Sequence, residues 1–498
     1  MDPEQMTETV SLLRKSFDEG LTIPLQFRRD QLKALEKCLR ENERAFVEAL
    51  GKDLRKNPGE AKLSEVDLCV NAIKTAMLEL NSWTSPTHVS KSMLTLFDTL
   101  YHYPQPYGLV LIIGPWNFPI SLSLLPLIGA IAAGNCVIVK PSEVSPATSE
   151  ALTKYLASYL DERCFRVIPG GVPETTSLLN LKFDYIFFTG AAKIGRIVSA
   201  AASKHLTPTT LELGGKSPVY LDDSVNMDIA ARRICWGKFT NAGQICIAPD
   251  YVLCSRKTSK IFIEAVRKVI REFYGEDPKA SENFGRIINV HHHRRLVKLL
   301  SAGNGKTVIG GQSDESDLFI APTVVTKVDP SSALMQEELF GPIMPIVYVD
   351  SARAAVDFIN EKSRPLALYV FSSKKSVHKL FREKTFSGAL SINDTALHFA
   401  VEELPFGGVG ESGMGAYRGK FTFDTFSHRR AVLHKNFNFF GEKAGSLRYP
   451  PMTDLKVGAT ATLLKKRRGI PLPTASSLLA FAAGVGVVFL VQALTSVS

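Results

Sequence analysis

From Leu109 onwards the sequence alternates short, largely apolar runs with amphipathic stretches, and this alternation limits the fold more than any other feature. The runs 109–113, 136–139, 185–188 and 209–211 each close on Gly, Pro or a polar turn, and helical text such as 146–160 and 195–204 lies between them. Runs apolar on both faces do not suit a sheet open to water. They predict buried parallel strands joined by right-handed helical crossovers, an α/β fold. A second series follows at 218–221, 251–253, 346–348, 368–371 and 389–392. Two successive α/β units predict two lobes with a cleft between them. Ahead of both, residues 6–81 read as helices, notably 29–50 and 63–80, the latter apolar at i, i+3 and i+4. Residues 85–99 and 404–431 fit neither series and suggest an extended arm.

The chain has 498 residues, 45% hydrophobic and 22% charged. That is the length of about three domains and an ordinary globular mixture, which argues against disorder, collagen or a coiled coil for the whole. Against 49 Asp and Glu stand 59 Lys and Arg, a formal charge of +10. So scattered an excess suits an anionic cofactor or an acidic membrane face and gives no reason to expect nucleic acid. The seven cysteines form no C-x-x-C pair and read as reduced thiols, not as a disulfide framework or a zinc site. No basic-then-apolar signal follows Met1, so the body is expected in the cytosol.

The end of the chain differs in kind. After Lys465, Lys466, Arg467 and Arg468 no charged residue appears, and 478–494 is apolar except for Gln492. Counted from Leu472, about 20 residues at 1.5 Å each roughly match a hydrocarbon layer of about 30 Å. The alternative is a terminal helix docked on the protein. A helix apolar on every side leaves no face for water, which favours a membrane anchor with the basic cluster on the cytosolic side.

Three residues are candidates for the chemistry. Cys246 lies in the turn-rich segment 239–249, shortly before a strand, where its sulfur can be exposed; the other six cysteines read as small core residues. A thiolate is a strong nucleophile, yet near an ordinary thiol pKa of about 8.5 only a few per cent is ionised at neutral pH, so the surroundings must assist. Glu212 stands between Leu211 and Leu213 at a strand end, before Gly214 and Gly215. Partial burial there would raise its pKa towards that of a general base. The bland alternative is a structural ion pair, such as one with Lys216. Asn117 follows strand 109–113 in a turn stiffened by Gly114, Pro115 and Pro119. Its amide suits an oxyanion donor, or else a simple Asx turn.

Phosphate-binding text is weaker. The segment Gly190, Ala191, Ala192, Lys193, Ile194, Gly195 follows a strand and opens a helix, so its backbone N–H groups suit a pyrophosphate, although Ala192 replaces the second glycine of G-x-G-x-x-G. Lys140 and Glu143, after strand 136–139, are placed to hold ribose hydroxyls. A P-loop reading of 303–307 fails because its leading position is Leu300. The run His291, His292, His293 points in several directions on a helix and reads as an exposed basic face, so no metal site is expected.

Taken in order, seven segments resemble the aldehyde dehydrogenase superfamily across residues 5–450. They are 115–119 (PWNFP), 139–143 (VKPSE), 188–190 (FTG), 211–216 (LELGGK), 241–246 (NAGQIC), 337–342 (EELFGP) and 405–408 (PFGG). The segments 423–428 and 447–451 look like its class 3 branch, and the apolar tail like the membrane-bound members of that branch that act on fatty aldehydes. The resemblance implies a Rossmann-like NAD-binding lobe (1–84 and 104–211), a catalytic lobe (212–396), an oligomerisation arm (85–103 and 397–450), a basic linker (451–469) and a C-terminal transmembrane helix (470–498). It implies NAD(P)-dependent oxidation of medium- to long-chain aldehydes, with Cys246 as nucleophile, Glu212 as base, and Asn117 with the Cys246 N–H as oxyanion donors. NAD, or NADP in its place, would lie on Lys140, Glu143, Thr189, the turn 190–195, Glu338 and Phe340. A homodimer on the endoplasmic reticulum membrane is the implied setting. The rivals are a cysteine-dependent esterase or acyl-transferase, which needs no nicotinamide, and an idle membrane scaffold, which needs none of the three residues.

Overall fold

The computed structural model describes residues 2–92, 95 and 98–465. Lys466, Arg467, Arg468 and the expected anchor 470–498 lie outside the described residues. Among the described residues no helix is long and apolar enough to cross a membrane. The chain divides into a larger unit, Met1–Ser85 with Pro104–Arg429, and a smaller one, Pro86–Tyr103 with the chain from Arg430. In the smaller unit Thr87 pairs with His102 and His88 with Tyr101, and Lys435 reaches Asp98 at 2.9 Å.

Both sheets of the larger unit follow the apolar runs. The first has six strands in the order Gly413–Met414, Thr209–Glu212, Tyr185–Thr189, Leu109–Ile113, Cys136–Lys140, Phe165–Val167. All pairs are parallel except the edge pair of Gly413 with Glu212. The second runs Lys306–Ile309, Thr323–Thr326, Ile343–Tyr348, Tyr251–Cys254, Pro218–Leu221, Ala367–Phe371, Ala389–Ile392. It is antiparallel only between its first two strands. This is the α/β class expected, with a Rossmann-like first sheet. In such sheets ligands gather at the carboxyl ends of the strands.

The helices depart from expectation in ways that bear on the site. Text 29–50 divides into Leu25–Glu41 and Glu43–Leu54, because the Asn42 side chain folds back on the Cys38 carbonyl at 2.9 Å and ends the first helix there. Text 63–80 contains a π-helical stretch, Lys62–Asp67, before Leu68–Thr84. Such stretches turn a side chain that a regular helix would aim elsewhere, and here Glu65 is buried. Helix Ser121–Ala133 is buried on every side, which removes the 3.6-residue period by which a surface helix is recognised. Its Gly129 lies so close to Thr422 that a Cβ would fall 2.3 Å from the Thr422 methyl.

Candidate active site

The turn that presents Asn117 leaves the first sheet at Ile113. Gly114 donates to the Lys140 carbonyl at 3.0 Å, and a Cβ on it would sit 2.1 Å from Ser123 Oγ, so only glycine lets the turn fold this tightly. Asn117 is buried. Its Nδ2 donates to the Gln244 carbonyl at 3.0 Å, while its own carbonyl accepts from Asn241 Nδ2 at 2.9 Å and Lys56 Nζ at 3.2 Å. The bond reaches across to the cysteine segment, which is not the local Asx turn considered from sequence.

That segment begins where helix Met227–Phe239 ends. Asn241 (φ 51), Ala242 (φ 53) and Gly243 (φ 78) all take left-handed backbone, costing on the order of 1–2 kcal/mol for a residue such as Ala. The buried Gln244 side chain holds this conformation. Its Nε2 donates to the carbonyls of Asn241 and Arg286 at 3.0 and 2.9 Å, and its Oε1 accepts from Ile288 N at 3.0 Å. Two residues on, Cys246 is half-buried, whereas the other six cysteines are buried. Burial, then the charges of Glu338 and Glu212, push its thiol pKa up, against the backbone N–H groups of Cys246 and Ile247. Cys246 therefore rests protonated and requires a base.

Glu212 is paired in register with Thr189 on one side and Gly413 on the other. It is 3% exposed, and neither carboxylate oxygen has a hydrogen-bond partner. Burial alone holds its pKa well above the usual carboxylate range. The suggested pairing with Lys216 does not occur. Lys216 Nζ instead pairs with Asp250 and donates to the carbonyls of Leu334 and Glu337 at 2.9 and 2.8 Å. Cys246, Glu212 and Thr189 line one cavity of about 570 Å³.

Of the residues considered for a dinucleotide, Thr189 lines this cavity, and Lys140, Glu143 and the segment 190–195 lie at or just after strands of the first sheet. Lys140, at a strand end, donates to Glu143 at 3.0 Å and to the Gly170 carbonyl at 2.8 Å; Glu143 is exposed. Thr189 is buried with its hydroxyl unpartnered. Gly190 leads into helix Ala192–Ser203, whose N-cap, Ala191, offers no side-chain bond. Lys193 and Ile194 are exposed there, while Gly195 is buried against Leu213. An uncapped helix start at the carboxyl end of parallel strands, beside an orphaned hydroxyl, fits an anionic dinucleotide. Glu338 packs over Gly214, where a Cβ would meet its carboxylate at 2.1 Å. Burial and Asp250 push its pKa up to about 8. Phe340 (φ 52) sets its ring edge-on to Trp116, with centroids 5.3 Å apart.

The histidine run is not the exposed basic face expected. His293 is buried, with Nε2 3.0 Å from the Phe319 carbonyl, because helix Val290–Ala302 turns that position inward. The His292 ring lies 5.1 Å from that of Trp116, and burial lowers its pKa to about 4. Among the described residues no group of His, Cys, Asp or Glu is arranged to hold a metal. Sequence reasoning also missed Lys56, Glu60 and Glu65. Glu60 lines the cavity and accepts from Asn241 N at 3.1 Å, and burial raises its pKa. Charged residues in helical or turn text look like a solvated face, and no local signal marks Lys56 and Glu65 as buried or Glu60 as half-buried.

Comparison with known proteins agrees with this geometry. The model of the aldehyde dehydrogenase family matches residues 1–432. Bovine (Bos taurus) aldehyde dehydrogenase family 3 member B1 is 50% identical over 453 residues, 91% of this chain and 96% of the relative. The rat (Rattus norvegicus) protein named aldehyde dehydrogenase, dimeric NADP-preferring, is 48% identical over 446 residues, 90% of this chain and 98% of the relative. The substrate-bound structure of Staphylococcus aureus AldH superposes with a TM-score of 0.90 at 41% identity, covering 92% of this chain and 99% of that one.

Proposed function

Because the chain belongs to the aldehyde dehydrogenase family and is an NAD(P)-dependent enzyme of that kind, we propose that it oxidises medium- to long-chain aliphatic aldehydes to carboxylic acids on Cys246. The carrying observation is the cavity shared by Cys246 and Glu212, whose walls include Leu63, Phe118, Leu122, Trp236 and Phe399. Such a lining rewards each methylene taken from water and offers little to a short polar aldehyde.

In this reading the Cys246 thiol releases its proton to solvent and the thiolate attacks the aldehyde carbon. The oxyanion of the thiohemiacetal is received by the second Asn117 amide hydrogen and the Cys246 N–H. Lys140, Glu143, Thr189, the helix start after Gly190, Glu338 and Phe340 would hold the dinucleotide, which would supply the hydride acceptor. The thioester left on Cys246 is hydrolysed by a water that gives its proton to Glu212. Sulfur serves both halves, as a good nucleophile and then an adequate leaving group.

The apolar segment after the basic cluster anchors the enzyme, with its body on the cytosolic side of the endoplasmic reticulum membrane. This reading rests on the charge-free composition beyond Arg468. A homodimer is supported by the name of the rat relative and by exposed Leu433 and Phe437 in the smaller unit. With a panel of linear aldehydes, kcat/KM is expected to rise with chain length to about sixteen carbons, by up to nearly fourfold per methylene at about 0.8 kcal/mol each. A flat profile from three carbons upward removes the fatty-aldehyde assignment. Deleting residues 470–498 is expected to release the protein from sedimented membranes with its activity on short aldehydes intact. Continued sedimentation with membranes defeats the anchor.

A further inference from the structure

Lys56 and Glu65 form an ion pair at 2.6 Å with both side chains 0% exposed. A fully buried pair is poor value as a source of stability, because desolvation offsets much of the attraction. What distinguishes this one is where its remaining bonds go. Lys56 Nζ donates to the Asn117 carbonyl at 3.2 Å and lies 4.0 Å from the centroid of the Phe118 ring. The second oxygen of Glu65 accepts from Ile120 N at 2.9 Å and Ser121 N at 3.2 Å. A carboxylate there also faces the positive end of helix Ser121–Ala133. Both charges are thus directed at residues 117–121.

We propose that the Lys56–Glu65 pair is a positioning device for the oxyanion donor, fixing the Asn117 backbone so that its amide stays in register with Cys246. The Asn117 carbonyl is gripped from two sides, by Lys56 and by Asn241 Nδ2 of the nucleophile segment. Glu60, from the short helix Pro58–Ala61, holds Asn241 N at 3.1 Å. One stretch, 56–65, therefore braces both the donor turn and the nucleophile turn. The π-helical turn at Lys62–Asp67 carries Glu65 at its buried position. Neither side chain touches substrate in this account; they act through Asn117. The inference rests on the assignment of Asn117 as oxyanion donor.

The test is a double-mutant cycle on the rate constant of NAD(P)H formation in the first turnover, which does not depend on the fraction of active protein. Asn117→Ala alone is expected to lower that constant by about 10²-fold, the effect of losing one oxyanion donor. Lys56→Met is expected to lower it at least about tenfold, since small misplacements of a catalytic group cost up to about 10²-fold. In the Asn117→Ala background Lys56→Met should add no more than about twofold, because there is no amide left to misplace. Lys56→Met/Glu65→Gln keeps an acceptor for Ile120 and Ser121 without leaving a lone buried charge. It should recover thermal stability while the rate constant stays low. If Lys56→Met costs the same factor in both backgrounds, or if the double variant recovers rate and stability together, the pair is merely structural and the proposal falls. A silent Asn117→Ala removes the oxyanion assignment and the proposal with it.

Discussion

Cys246→Ala is expected to abolish NAD(P)-linked aldehyde oxidation, by on the order of 10⁴-fold or more, because a residue that forms the covalent intermediate has no substitute in the site. Among the seven cysteines, Cys246 alone is half-buried, and it borders the cavity that Glu212 also lines. The other six are buried, and none of them lines that cavity. Cofactor affinity should be unchanged in Cys246→Ala, since the residues that fit the dinucleotide lie elsewhere, and equilibrium binding checks this directly. Cys246→Ser should be nearly as inactive, because a neutral hydroxyl is the poorer nucleophile and its ester the slower to hydrolyse. Burial and two neighbouring carboxylates keep the Cys246 thiol protonated, so alkylation of the free enzyme should accelerate steadily with pH from neutrality upward. Turnover of Cys246→Ala at a rate comparable with the parent would remove the covalent mechanism.

What sequence reasoning could and could not see follows from periodicity. Strands Leu109–Ile113, Cys136–Lys140 and Tyr185–Thr189 are buried on both faces, and an unbroken apolar run ended by a turn is the mark of such strands. Helix Ser121–Ala133 is apolar apart from Ser121 and Ser123, so no amphipathic period announces it. Cys246, Glu212 and Asn117 each stand beside glycine or proline at the end of an element, where a turn draws attention to the side chain it presents. Lys56, just before Asn57, Pro58 and Gly59, has such a turn too, but a turn does not tell that the charge beside it is enclosed, and Glu65 has no such neighbour. Nine residues apart, Lys56 in the turn after helix Glu43–Leu54 and Glu65 amid charged helical text, they become a buried pair only because a π-helical turn and the arrival of residues 117–121 enclose them. His293 fails for the same reason, its inward direction being set by the phase of helix Val290–Ala302. Long-range enclosure of polar groups leaves no local trace, whereas apolar runs and turns do.

Glu212→Gln separates the two halves of the reaction and carries a stability signature of known sign. If Glu212 activates the hydrolytic water, the variant should form NAD(P)H in its first turnover at close to the parental rate. It should then stall at the thioester, with steady-state turnover down by about 10²-fold, the lower end of what a general base contributes. The parent's hydrolytic step should quicken as pH rises through the elevated pKa of Glu212, because only the ionised carboxylate accepts a proton from water. The same elevation means that the folded protein holds a proton which the unfolded chain, with an ordinary carboxylate pKa of about 4.3, gives up. Between those two values stability falls as pH rises, and above the upper one the whole cost of an ionised carboxylate with no hydrogen-bond partner is present. Glutamine carries no charge to desolvate. Its thermal midpoint should therefore exceed the parent's at pH 8, and the advantage should vanish near pH 4, where both side chains are neutral. Parallel melting curves at the two pH values measure this independently of catalysis. A variant that melts below the parent at pH 8 would mean that Glu212 is stabilised by a partner in the folded protein, and a structural ion pair would then replace the general base.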